Sequence, residues 1–277
     1  MTELVFTKMH GLGNDFVVID GRAGFLTVGP GEARAIGDRR TGVGFDQLLI
    51  LEPPCNGGAD VFMRIRNPDG SEAEACGNGT RCVAALVMAE TGAEELNVET
   101  VAGVLHAKTE ADGRVTVDMG PAATEWRDIP LAEETDTLHL GIEADGLADP
   151  VGVGVGNPHM VFFVNDLDAI ALETVGPLLE THPLYPERTN VEVVQLIGVD
   201  RLRMRVWERA AGITRACGSG ACAVAVAANR RGLSGRSVEV VLDGGSLGIT
   251  WSAANRLLMS GPVVTSFVGT IDPGQLG

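Results

Sequence analysis

One short turn occurs twice in this chain, 141 residues apart, and that duplication restricts the fold more than any other feature. Ala75-Cys76-Gly77-Asn78-Gly79 opens an Ala/Val-rich run, and Ala216-Cys217-Gly218-Ser219-Gly220 opens another. Three further correspondences fall near the same separation and in the same order. They pair Gly13-Asn14 with Gly156-Asn157, Gln47 with Asn190, and Arg66-Asn67 with Trp207-Glu208. Ordered self-similarity at a near-constant offset marks a duplicated unit. An offset of 141 residues is the size of one small domain. The 277 residues therefore read as two related halves, with a boundary near Pro121.

The pattern of elements repeats with the turns. Apolar or β-branched runs at 15–20, 46–52 and 60–66 predict strands. Residues 78–91 predict a helix ended by Gly92, and strands follow at 96–101, 103–109 and 114–119. The second half predicts strands at 151–156, 160–164, 190–197 and 201–208, an amphipathic helix over 168–181, and a helix over 219–231 ended by Gly232. Strands at 237–242, 246–251 and 256–260 complete it. Many strands, few helices and no regular βαβ alternation point to α+β architecture.

The chemistry lies in the two turns. Each cysteine precedes a Gly-x-Gly segment that starts a helix. A helix N-terminus carries unpaired N–H groups and about half a positive charge, which lowers the pKa of a nearby thiol. The same N–H groups can hold a carboxylate, and glycine lets a ligand approach the backbone. Two such units facing one carbon would supply a base on one side and an acid on the other, the requirement for inverting a stereocentre. Cys82 and Cys222 fall in apolar helix bodies and read as core residues. Cys55 lies in a Pro/Gly-rich loop and reads as incidental.

Composition excludes several classes of function. A net charge of −16 repels phosphate backbones and anionic lipid, so neither nucleic acid nor membrane is an expected partner. No apolar run has the length of a membrane span, and the N-terminus lacks the pattern of a secretion signal, so the cytoplasm is the expected compartment. Five cysteines argue against a disulfide framework, and their spacing matches no zinc site. No P-loop or dinucleotide fingerprint occurs, and no metal or organic cofactor is expected.

The quoted turns lie within a longer set of segments. These are Lys8-Met9-His10-Gly11-Leu12-Gly13-Asn14-Asp15-Phe16, Gly44-Phe45-Asp46-Gln47, Asn67-Pro68-Asp69-Gly70-Ser71, Ala75 to Cys82, Gly156-Asn157-Pro158-His159, Arg188-Thr189-Asn190-Val191-Glu192, Trp207-Glu208-Arg209 and Ala216 to Gly220. With them the chain resembles the diaminopimelate epimerase family of PLP-independent enzymes of lysine and peptidoglycan precursor synthesis. The resemblance implies two pseudo-symmetric lobes, each a β-barrel-like sheet round a central helix, with the site between them. The lobes would comprise residues 1–120 with 264–277, and 121–263. It further implies a cytoplasmic homodimer that interconverts LL- and meso-diaminopimelate. Carried over by position, Cys76 and Cys217 are the acid–base pair, and Gly77-Asn78 and Gly218-Ser219 hold the reacting carboxylate. Asn14, Gln47, Asn67, Asn157, Asn190, Glu208 and Arg209 contact the substrate, and His159 and Glu208 tune the thiols. Phe267 stands where an aromatic dimer contact is expected. The guanidinium of Arg209 suits bidentate capture of a second carboxylate. Two other readings remain open: a racemase of the same fold acting on another amino acid, and a non-catalytic thiol-redox protein.

Overall fold

The computed structural model describes residues 3–24, 26–272 and 274. It divides into two compact units, Met1–Val117 with Gly261–Gly277, and Asp118–Ser260. The bounds expected from sequence fall three residues later at each crossing.

In the first unit the elements are β1 (Leu4–Gly11), β2 (Asn14–Asp20), α1 (Pro30–Gly37), β3 (Gln47–Glu52), β4 (Val61–Arg66), β5 (Glu72–Ala73), α2 (Gly77–Thr91), β6 (Glu95–Thr100), β7 (Gly103–Thr109) and β8 (Val115–Pro121). The second unit begins with a short hairpin of β9 (Glu143–Ala144) and β10 (Leu147–Ala148). It then runs β11 (Val151–Gly154), β12 (Pro158–Val164), α3 (Leu172–Glu180), β13 (Asn190–Gly198), β14 (Arg201–Glu208), β15 (Gly212–Thr214), α4 (Gly218–Arg230), β16 (Ser237–Leu242), β17 (Gly245–Trp251) and β18 (Arg256–Gly261). The final strand, β19 (Val264–Ile271), returns to the first unit and pairs antiparallel with β1.

The duplication is visible in the pairing. In each unit a parallel pair, β2 with β3 or β12 with β13, puts residues 143 apart in equivalent register: Phe16 opposite Gln47, His159 opposite Asn190. Next come antiparallel partners β4 and β14, with Leu48 opposite Arg66 and Val191 opposite Trp207. A parallel strand, β6 or β16, then lies beside β4 or β14 and begins an antiparallel meander.

The sheet of each unit is wrapped round one helix. α2 packs against β1, β2, β3, β6 and β7, and α4 against β11, β12, β13, β16 and β17. That enclosure explains the composition of α4, whose residues Ala221 to Ala228 are all buried. Strands can close on a helix from several sides only if its side chains are small. β3 shows the other consequence. Its alternation places Leu48 and Ile50 in the cluster under α1 with Phe6, Val17 and Phe45, while Leu49 reaches α2 at Gly79. α1 and α3 lie on the outer side of the strands, α3 on β13, β14 and β15.

Most expected elements are present, the strands and the two central helices to within two residues at each end. α2 ends at Gly92, whose φ of 73° is the left-handed cap. The amphipathic helix is shorter than expected and starts at Leu172 rather than 168. Asp166 accepts the amide of Asp168 at 3.0 Å, a local bond that competes with helix formation. β1 was not foreseen, because Lys8 and His10 interrupt its apolar run. Nor were α1, which is eight residues long, β19, or the short β5, β9, β10 and β15.

Leu49→Ala removes the side chain that fills the space under Gly79. It should cost about 2–5 kcal/mol, read as a fall in the thermal midpoint. A neutral result would mean that Leu49 does not support the start of α2.

Candidate active site

Six of the expected residues converge at one end of the first unit. Asn14 and Gln47 are the first residues of the parallel strands β2 and β3, and Asn67 follows the last residue of antiparallel β4. Antiparallel and parallel order thus bring all three to one end of the sheet. The side chain of Asn78 donates to Asn14 at 3.1 Å, which brings the start of α2 to that end as well.

Cys76 caps α2 in an extended conformation, φ −152°, and is half-buried. Its sulfur accepts the Gly79 amide at 3.3 Å. The Thr80 amide and hydroxyl both donate to the Cys76 carbonyl, at 2.8 and 2.9 Å. The amides of Gly77 and Asn78 lie in the first helical turn, where the helix offers no carbonyl to receive them. Behind them stands a polar chain. Asn14 donates to Asp46 at 2.9 Å, Arg39 links Asp46 to Asp15, and Lys8 donates to Asp15 and to the Gly44 carbonyl. Burial pushes the Asp15 carboxyl up, but the Arg39 and Lys8 hydrogen bonds outweigh it and hold its pKa below the usual carboxylate value. Gln47 donates to Asn67 at 3.2 Å.

The second unit places the equivalent residues by the same topology. Asn190 opens β13, Glu208 closes β14, and Asn157 and His159 flank the start of β12. Cys217 caps α4, with φ −124°, and its sulfur lies 3.6 Å from the Ser219 hydroxyl. The surroundings differ in charge. Cys217 is 4% exposed and packs beside two carboxylates. Burial first, then the charges of Glu208 and Glu192, push its thiol well above the ordinary value. The Ser219 hydroxyl and Gly220 amide oppose this shift. Burial also raises the Glu208 carboxyl, against hydrogen bonds from Thr214 and from the Cys217 thiol itself.

His159 is fully buried, and both its ring nitrogens have partners. Nδ1 lies 2.7 Å from Glu192 Oε1 and Nε2 lies 2.9 Å from Asn157 Oδ1. A Cβ on Gly220 would stand 2.8 Å from Glu192 Oε1 and 3.3 Å from the Cys217 sulfur, so only glycine fits there. Asn190 donates to the Pro158 carbonyl and accepts the Arg209 amide at 2.8 Å, and Arg209 Nη1 donates to the Glu187 carbonyl at 3.0 Å.

Asp46, Glu192 and the Lys8–Asp15–Arg39 group were not singled out from the sequence. Glu192 had a signal, a carboxylate in the middle of the apolar strand Asn190-Val191-Glu192-Val193-Val194. Phe267 belongs to neither group. It lies on β19, opposite Lys8, with its ring edge against Phe6 at 5.9 Å. Cys82 is a core thiol pushed up to about 12, burial prevailing over the field of Arg81, and Cys55 is exposed. Among the described residues no group of His, Cys, Asp and Glu could hold a metal ion.

A raised thiol pKa means less thiolate at a given pH. Brief treatment with iodoacetamide at pH 7 should therefore label Cys76 at least about tenfold faster than Cys217. Exposed Cys55 should react, and buried Cys82 should not. Peptide mapping checks the order, and equal rates at the two site cysteines would contradict the asymmetry.

The family model described as diaminopimelate epimerase matches residues 6–125 and 151–266. The diaminopimelate epimerase of Rhodospirillum centenum is 57% identical over 275 residues, covering 98% of this chain and 94% of the relative. That of Erythrobacter litoralis is 53% identical, covering 98% of each. Among solved structures, the chain is similar to a phenazine biosynthesis protein of the PhzF family from Bacillus anthracis. The TM-score is 0.70 at 17% identity, over 98% of this chain and 100% of that one. It is also similar to a hydroxyproline epimerase from Agrobacterium vitis, with a TM-score of 0.69 at 17% identity over 99% and 95% of the two chains. At such identities the two structures speak for the fold alone.

Proposed function

The chain belongs to the diaminopimelate epimerase family, and we propose that it interconverts LL- and meso-diaminopimelate with Cys76 and Cys217 as the two acid–base groups. The observation that supports this most is the equivalence of the two thiols. Each caps the enclosed helix of its unit, at the sheet end where the polar side chains gather. Each lobe, 1–120 with 264–277 and 121–263, then contributes one thiol.

The α-carboxylate of the reacting centre is held by the first-turn amides of Gly77-Asn78 and Gly218-Ser219. Both helix termini favour negative charge there, and more so as it grows. A thiolate removes the α-proton, and the electrons of the C–H bond pass to the carbon and its carboxylate. The opposite thiol returns a proton to the other face, so each turnover ends with the protonation states exchanged. Cys217, buried beside two carboxylates that raise its pKa, enters as the thiol and hence the acid. Cys76 is then the base of that direction, with the Gly79 amide on its sulfur. Glu208 and His159 tune the thiols, Glu208 from beside Cys217 and His159 held by Glu192 and Asn157. Asn157, fixed through its Oδ1 by His159, offers its amino group to substrate. Arg209 takes the distal carboxylate, and Asn14, Gln47, Asn67 and Asn190 complete the polar contacts.

The reaction belongs to lysine and peptidoglycan precursor synthesis in the cytoplasm, and the enzyme works as a homodimer. Phe267 is 51% exposed and shares its face of the β1–β19 pair with exposed Val264, while exposed Val5 and Val268 lie on the opposite face. Exposed apolar side chains on this strand pair suit a second copy. No helix among the described residues is long and apolar enough to cross a membrane. Phe267→Asp should yield monomers in analytical ultracentrifugation, and unchanged dimers would remove this strand pair from the contact.

In deuterated water LL-diaminopimelate should exchange its α-hydrogen and convert to the meso form. Cys76→Ser and Cys217→Ser should each lose nearly all epimerisation, because a serine hydroxyl hardly ionises at neutral pH. With a leaving group at Cβ, abstraction alone suffices for elimination. Each variant should then eliminate from one stereoisomer, and the two should choose opposite isomers. Normal epimerisation by either variant, or the same isomer chosen by both, would refute the two-base assignment.

A further inference from the structure

Glu180, the last residue of α3, is a buried carboxylate that the reaction does not use. It is 7% exposed and satisfies three donors from two other segments. Its Oε2 accepts the Trp207 indole N–H at 2.7 Å. Its Oε1 accepts the Ala210 amide at 3.1 Å and pairs with Arg188 Nη1 at 3.4 Å. Its own carbonyl accepts the Thr189 amide at 3.1 Å. One residue thus fastens the segment entering β13 and the turn leaving β14.

Those two stretches carry Asn190 and Arg209, which are tied to each other. The Arg209 amide donates to Asn190 Oδ1 at 2.8 Å, and its guanidinium reaches back to the Glu187 carbonyl at 3.0 Å. Both fastened points are strained. Arg188 and Ala210 each have φ of 62°, in the left-handed region that disfavours residues with a Cβ. Such conformations persist where the surroundings over-determine them. α3 is also seated firmly. A Cβ on Gly176 would stand 2.6 Å from the Trp207 ring, so the helix lies flush on the indole that Glu180 binds.

From this we infer that Glu180 is a positioning residue for recognition of the substrate's distal end. It sets the Arg209 turn against Asn190, so that the guanidinium is directed before a dicarboxylate amino acid arrives. The inference rests on the reading of Arg209 as the clamp on the distal carboxylate. Replacing one carboxylate oxygen by an amino group turns a donor towards the indole N–H or the Ala210 amide, and one tie is lost. The reacting carbon is untouched, so ground-state and transition-state binding of the distal end weaken together.

A double-mutant cycle with LL-diaminopimelate tests this. Glu180→Gln should raise KM about tenfold with kcat held within about twofold. In an Arg209→Lys background the same substitution should change KM by less than about twofold, because the group it positions has already lost its fork. Trp207→Phe removes one donor and keeps the carboxylate. It should raise KM in the same sense and likewise lose its effect beside Arg209→Lys, so it carries the test if Glu180→Gln does not fold. Additive effects in both backgrounds, or a fall in kcat at constant KM, would overturn the role of Glu180. A wild-type protein inert towards diaminopimelate would overturn the functional reading itself.

Discussion

Each unit depends on a helix enclosed by strands whose N-terminal amides must still find partners. Five strands pack against each of α2 and α4; α4 is buried from Ala221 to Ala228, while α2 turns Ala89 and Glu90 to solvent near its C-terminal end. Small side chains make that enclosure possible, and it leaves the N-terminus as the place where unpaired N–H groups can meet a ligand. The cysteine at the cap is therefore both the residue that closes the helix and the residue nearest to whatever the amides bind. Packing and chemistry share one requirement here. Gly220 shows it directly, since a methyl group at that position would displace both Glu192 and the sulfur.

The two units solve the same problem with different charges. Around Cys76 the support is a chain of amides and ion pairs, Asn78 to Asn14 to Asp46 and on to Arg39, Asp15 and Lys8, and the thiol remains half-exposed. Around Cys217 it is half-buried Glu208 together with fully buried Glu192, which His159 contacts. A buried polar group without a partner is costly, and the 2.7 Å contact of His159 Nδ1 with Glu192 Oε1 gives each of them one inside the core. A duplicated fold thus sets its two helix-capping thiols in surroundings of unlike exposure and charge.

Much of the candidate site is legible in the chain because its residues sit at element boundaries. Strand ends and helix starts are marked by turn residues, so Asn14, Gln47, Asn157, Asn190 and both cysteine caps stand out against the apolar runs beside them. The supporting residues do not. Asp46, Arg39 and Glu180 act through partners 7 to 32 positions away, and nothing local distinguishes them from solvated charges. His159 illustrates the limit from the other side. Its segment marked it as a candidate, but the engagement of both its ring nitrogens by Glu192 and Asn157 required the register of β12 against β13.

The sequence by itself determined the duplication, the α+β class, the two helix-capping cysteines and the likeness to one enzyme family. These are matters of local pattern and periodicity, and a single chain carries them in full. Only the tertiary structure decided the difference between the thiols, the route by which His159 is held and the fastening of the Arg209 turn by Glu180. Burial and hydrogen bonding between segments far apart in sequence set a pKa and aim a guanidinium. Those contacts exist only once the strands have closed round the helix.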